Sequence, residues 1–278
     1  MSPALSPLTA QISALLASPL HAALPLPRLP LIHAVRVSIL WAALTRHKRR
    51  PGTLQHAFGY LVLAWAGNTA LALLLSLPPA WLVSPAPWIV YLLVYLLFIP
   101  TGLSPYIVDH CPQVLLNTAG AAVDGLSRGV TIASIAGMLE ASAKFHAAAH
   151  GQAVSAWTYT LLSTVAVSSG GFLVSLLSLH EASYRLSVPS VFRRGAGVWG
   201  TMDVWAAALA GLGYWAMVSV RMEDVQAMVG SGFDRWGVKS TAMDGLSART
   251  VCVLFLGGIL ILRAVRTQLV STGTKRNR

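Results

Sequence analysis

Residues 61–79 read LVLAWAGNTALALLLSLPP and decide the class of fold. The stretch carries no charged side chain and stops on Pro78-Pro79. Extended back to residue 54, it forms an uncharged run over residues 54–77. A membrane-spanning helix needs about 20 such residues. Ala66-Gly67-Asn68 interrupts the run about ten residues before the prolines. Glycine lacks a Cβ, so a helix can bend or unwind there. The alternative is close packing of a neighbouring helix through small residues.

Six further apolar runs flank this one, at about 29–45, 87–108, 112–145, 153–179, 196–220 and 247–265. His33 and Arg36 interrupt the first, and Pro100 lies within the third by position. The fourth run from the N-terminus is too long for one simple span. A tilt, an extramembrane extension or a break is expected, with Gly125 and Gly129 as natural break points. Run five contains Ser168-Ser169-Gly170-Gly171 past its middle. The predicted fold class is therefore all-α: a polytopic membrane protein of seven transmembrane helices over residues 29–266. Residues 1–28, with prolines at 3, 7, 19, 25 and 27, are predicted to be irregular. Residues 267–278 form a basic tail.

Composition agrees with this reading. Of 278 residues, 55% are hydrophobic and 10% charged, with a mean hydropathy of +0.64. A soluble domain carries about 25% charged residues, so a water-facing globule, a nucleic-acid-binding domain and a disordered chain are all disfavoured. The formal charge of +11 resides mostly between apolar runs, where it sets topology and attracts anionic lipid. One set of loops holds Arg46, Lys48, Arg49, Arg50, Arg185, Arg193, Arg194 and the C-terminal Arg263, Arg266, Lys275, Arg276 and Arg278. The other side holds Arg28, Lys144, Arg221, Arg235, Lys239 and Arg249. The richer side is predicted to be cytosolic, and the C-terminus with it. Residues 221–246, the one sizeable polar stretch between runs, read as a solvated loop with a short interfacial helix.

Ionisable residues inside runs are expensive in lipid and face the bundle interior, a partner or water. Asp124 and Arg128 stand four apart with the acid first, the favoured order for an ion pair on one helix, and Glu140 and Lys144 repeat the pattern. The set Arg36, Asp124, Arg128, Glu140, Lys144 and Asp203 reads either as self-neutralised structural pairs or as the lining of an aqueous path. His146 and His150 have i, i+4 spacing but no third ligand nearby, so no metal site is predicted. Cys111 and Cys252 lie far apart in or beside apolar runs and read as two buried thiols. No nucleophile–base set, phosphate loop or cofactor motif occurs, so no enzyme and no cofactor is expected.

The interruptions at Gly67-Asn68 and Ser168-Ser169-Gly170-Gly171 fall within the second span of two successive three-span blocks. Matching interruptions in two halves point to an inverted-repeat transport site. Two inverted three-helix repeats plus one extra helix are therefore predicted.

The chain resembles the trimeric intracellular cation channels at four places. A basic loop precedes run two, whose glycine leads into Leu73-Leu74-Leu75-Ser76-Leu77-Pro78-Pro79. Run three passes from Trp88 to Tyr95, then Pro100, with Pro112 twelve residues later. Ser169-Gly170-Gly171 stands where the family has a glycine-rich hinge. Run seven ends Ile261-Leu262-Arg263, where the family tends to place a basic residue. The chain has Ala66-Gly67-Asn68 in place of the family's triple glycine. It has Asp124-Gly125-Leu126 in place of Lys-Glu-Val, with Arg128 retained. The resemblance implies a homotrimer in an intracellular membrane, the endoplasmic reticulum above all, with one pore in each protomer between the second and fifth helices. It implies a potassium channel supplying counter-ion flux during calcium release. Gly67, Asn68, Ser168, Ser169, Gly170 and Gly171 would form the pore and hinge; Arg128, Asp124 and Arg36 would serve gating or anionic-lipid binding. A carrier on the same inverted repeat, using Asn68 and Asp124, and a non-conducting scaffold are the alternatives.

Overall fold

A computed structural model describes residues 5–21, 24–46, 48, 52–149, 154–219 and 243–276. The chain is almost entirely helical. Its N-terminal segment is more ordered than its proline content predicts. Helix α1 (Ser6–Ala17) starts with Pro7 in its first turn, where a missing N–H costs no helical bond, and no proline recurs before Pro19. Strands β1 (Pro19–His21) and β2 (Leu24–Pro27) then form an antiparallel hairpin. The hydroxyls of Thr9 and Thr250 hydrogen-bond at 3.0 Å and are buried, which docks α1 onto the last helix.

The main helices follow the apolar runs. They are α2 (Arg28–Thr45), α3 (Thr53–Leu74), the single turn α4 (Ala80–Val83), α5 (Ala86–Phe98), α6 (Leu103–His110) and α7 (Gln113–Ala141). After these come α8 (Ala143–Ala149), α9 (Ala156–Leu176), the short α10 (Gly197–Gly200), α11 (Met202–Ser219) and α12 (Gly245–Arg276). Among the described residues, α2, α3, α9 and residues 245–269 of α12 are long and apolar enough to cross a membrane. The pair α5–α6, bent by 63° after Pro100 and Gly102, adds a fifth if it is one span. The protein is thus a helical membrane protein. The long fourth run breaks at Ser142, not at Gly125 or Gly129. The last helix runs on through most of the predicted tail. The predicted loop at 221–246 lies largely outside the described residues.

Two buried clusters organise the bundle. One joins Trp41, Tyr60, Val90, Tyr91 and Tyr95 from α2, α3 and α5. The other joins α7, α9, α11 and α12 around Ile132, Ile135, Leu162, Ala210 and Leu256. Helices α3 and α9 form the seam. A Cβ on Gly67 would collide with the carbonyl oxygen of Ala166, and one on Gly170 would lie 2.6 Å from that of Leu63. Four residues forward on α3 match four residues backward on α9, so the helices cross antiparallel with reciprocal contacts. Each glycine stands fourteen residues after its helix begins, Gly67 after Thr53 and Gly170 after Ala156. Both helices also end alike. Ser76 (φ 56°) and Ser178 (φ 50°) turn the chain, while the amides of Leu77 and Leu179 donate to the carbonyls of Ala72 and Val174.

The ends of these helices are tied by charge. Lys48, after α2, pairs with Glu181, after α9, at 3.3 Å, and Arg185 reaches the same carboxylate at 2.8 Å. Desolvation opposes ionisation of Glu181, but the hydrogen bond from Lys48 and the charge of Arg185 hold its carboxyl below the usual range. The reciprocal crossing has a direct consequence. Gly67→Ala and Gly170→Ala should each lower stability by about 1–3 kcal/mol, the usual range for overpacking. Gly171→Ala, which meets nothing within 4 Å, should be near neutral. Fluorescence-detected unfolding in detergent measures the difference.

Candidate functional site

Helix α7 carries Asn117, Asp124, Ser127, Arg128, Thr131 and Ser134 at spacings that place them on one side. At a rise of 1.5 Å per residue, this polar stripe is about 25 Å long. Another face packs tightly on α12. A Cβ on Gly125 would collide with Gly257, and one on Gly129 would lie 2.6 Å from the Val253 side chain. A helix with one polar stripe and one of glycine has few positions left for apolar side chains. That is why α7, despite its 29 residues, is not among the helices apolar enough to span on composition alone.

The stripe faces an open-sided cavity of about 940 Å³ lined chiefly by α2, α3, α7 and α9. Leu29 and Leu44, in the first and last turns of α2, both line it. Their separation along the helix is about 22 Å, so the cavity follows most of the length of α2. Of the residues singled out from the sequence, Gly67, Asn68, Ser168, Gly170, Gly171, Arg36, Asp124 and Arg128 all line this one cavity. Ser169 does not; its hydroxyl donates to the carbonyl of Val165 on its own helix.

The glycine segments do not open the backbone. Helix α3 runs unbroken through Gly67-Asn68, and α9 through Ser168–Gly171. The alternative reading of these positions, close packing, is the one the structure shows. The cavity is therefore lined by side chains, with hydroxyls replacing freed carbonyls. Ser127, Thr131 and Ser168 donate to the carbonyls of Val123, Ser127 and Thr164, four residues back, and Ser134 donates to that of Thr131. With its hydrogen committed to the helix, each hydroxyl presents only lone pairs to the cavity.

The charges pair differently from the sequence expectation. Asp124 does not hold Arg128. Arg36 on α2 grips Asp124 with two bonds, Nε to Oδ1 at 3.2 Å and Nη2 to Oδ2 at 2.9 Å. The two side chains are 18% and 17% exposed. Gly120, one turn before Asp124, makes room for this contact, since a Cβ there would lie 2.6 Å from the Arg36 guanidinium carbon. Arg128 instead pairs at 2.5 Å with Asp203, at the start of α11. Arg263 of α12 approaches the other oxygen of Asp203 at 3.7 Å. Cross-helix pairing prevails because each partner helix brings its ion directly to the cavity, whereas ions four apart on one helix gain only a few tenths of a kcal/mol. The predicted Glu140–Lys144 pair also fails to form, because the helix ends at Ala141 between its members.

Around the remaining wall, Trp65, Trp81 and Tyr91 line the cavity, and the Tyr91 hydroxyl meets His33 Nδ1 at 2.7 Å. His180, in the connection after α9, also lines it; burial first, then the charge of Lys48, pushes its imidazole below the usual range. His146 contacts the backbone carbonyl of Glu140, and its spacing partner His150 lies outside the described residues. Cys111 and Cys252 are free thiols; Cys252 is buried as expected, whereas Cys111, at the end of α6, is only half-buried. Sequence reasoning missed Gly120, Asn117, Ser127, Thr131, Ser134 and Arg263. The three-to-four-residue spacing of polar groups along α7 was the signal available for most of them.

Comparison with protein-family models, with curated proteins and with solved structures gives no match.

The observed pairing can be separated from the sequence expectation by double-mutant cycles. Arg36→Gln and Asp124→Asn should couple by about 1–3 kcal/mol in unfolding free energy. The cycle between Asp124→Asn and Arg128→Gln should show the smaller coupling.

Proposed function

We propose that this protein is a channel for monovalent cations, potassium foremost, in an intracellular membrane. One observation carries the reading: hydroxyls on α7 and α9 line a long cavity as acceptors only, because their hydrogens are committed to helix carbonyls. Oxygen lone pairs can replace part of a cation's hydration shell, which is how selective pores lower the cost of entry. The two deepest arginines add no free positive charge, since Arg36 is neutralised by Asp124 and Arg128 by Asp203.

In this reading seven spans cross the membrane: α2, α3, the bent α5–α6, α7, α9, α11 and α12. The first six form two inverted three-helix repeats, and α12 is the extra helix. The antiparallel, reciprocal crossing of α3 and α9 supports the inversion. The loops carrying Lys48 and Arg185 and the C-terminal end of α12 face the cytosol, as the excess of basic residues there requires. Arg194 and Arg266 at that end would meet anionic lipid. The resemblance to the trimeric intracellular cation channels extends the proposal to a homotrimer of the endoplasmic reticulum that balances charge during calcium release. No catalysis and no nucleic-acid partner belongs to it.

The ion pairs on the cavity wall, Arg36–Asp124 and Arg128–Asp203, offer polar groups to a small solute and favour a second reading as a carrier on the inverted repeat. Planar-bilayer recording of the purified protein separates the two. Unitary potassium currents are expected. Saturable flux without unitary events would favour the carrier, and a folded protein that passes no ions in either assay would overturn the proposal.

A further inference from the structure

The cavity wall carries four arginines, Arg36, Arg128, Arg193 and Arg263, against two aspartates, Asp124 and Asp203. With its histidines neutral, the wall is net positive, which by itself would favour anions. What offsets this is position. Asp124 accepts two bonds from Arg36, and Asp203 lies between Arg128 and Arg263. We infer that Asp124 and Asp203 decide the sign of the ion the cavity admits, by masking guanidinium groups that would otherwise repel cations and gather anions. This inference rests on the reading of the cavity as an ion path and names the residues that set its preference.

The reasoning is electrostatic. An unpaired charge on the wall of a narrow cavity acts more strongly on an ion a few ångströms away than it would in bulk water, because the protein around it lowers the effective dielectric constant. Asp124 is the more deeply masked carboxylate, at 17% exposure against 31% for Asp203. Its loss leaves Arg36 unopposed beside Gly120, in the middle of the polar stripe of α7. Loss of Arg36 has the opposite effect, leaving an unpaired carboxylate that attracts cations. The two halves of one ion pair therefore affect selectivity in opposite directions, which a merely structural cross-link would not do.

The test uses the full chain, purified and reconstituted, with the variants Asp124→Asn, Asp203→Asn, Arg36→Gln and the swap Arg36→Asp/Asp124→Arg. Reversal potentials in asymmetric potassium chloride give the ratio of potassium to chloride permeability. Asp124→Asn is expected to lower that ratio at least about tenfold and Asp203→Asn to lower it less. Arg36→Gln should raise it, and the swap should restore the parent value. A second measurement needs no conduction. Trp65 and Trp81 line the cavity, so the part of the tryptophan quenching that is lost when both are replaced by phenylalanine reports which ions enter. Asp124→Asn should increase quenching by iodide relative to caesium by about twofold or more, and the swap should reverse the change. Were the unmodified chain to pass no current while the quenching ratio shifted, the channel reading would fall and this inference would stand. Unchanged permeability and quenching ratios in a folded Asp124→Asn protein would overturn it.

Discussion

A guanidinium or carboxylate within a membrane-embedded bundle is costly unless it is paired or hydrated. Arg36, Asp124, Arg128 and Asp203 meet that constraint together, and the bundle is arranged around how they do so. Arg36 reaches from α2 to Asp124 on α7, and Arg128 reaches from α7 to Asp203 on α11. Helix α2 is thereby cross-linked to α7, and α7 to α11. Gly120 provides the space for the Arg36 contact. The cavity persists because its walls hold charges and hydroxyls that cannot be sealed with apolar side chains.

A second contact, between backbones, holds α3 against α9. At the α3–α9 crossing each helix offers a glycine to the backbone of the other, Gly67 to Ala166 and Gly170 to Leu63. Without a hydrophobic driving force between helices in lipid, such close backbone approach is a main source of association. Glycines make the same close approach between α7 and α12, Gly125 to Gly257 and Gly129 to Val253. Polar groups thus face the cavity while glycines draw the surrounding helices together, and α7 does both on different faces.

Much of this was legible in the sequence. Uncharged runs located the helices, because lipid demands length and apolarity. The six positions read as pore and hinge were singled out by matching interruptions; no hinge forms at them, and five of them line one cavity. Their mode of action was not legible. A glycine that lets a helix unwind and a glycine that lets two helices touch look the same in one dimension. Only the carbonyl of Ala166 above Gly67 decides for contact. The ion pairs were misassigned for a similar reason. Spacing along α7 made Asp124 and Arg128 neighbours, whereas their true partners are 88 and 75 residues away. The helix at Ser6–Ala17 was hidden by a proline count that ignored where the prolines fall.

Whether the stripe on α7 borders water is most directly answered by cysteine accessibility in sealed vesicles. Single cysteines would be introduced after replacing Cys111 and Cys252. Cysteines at Ser127, Thr131 and Ser134 should react with a small, charged, membrane-impermeant thiol reagent. Those at Ile132 and Ile135, which are fully buried, should stay protected. Equal protection of all five positions in a folded protein would contradict a hydrated path along this helix.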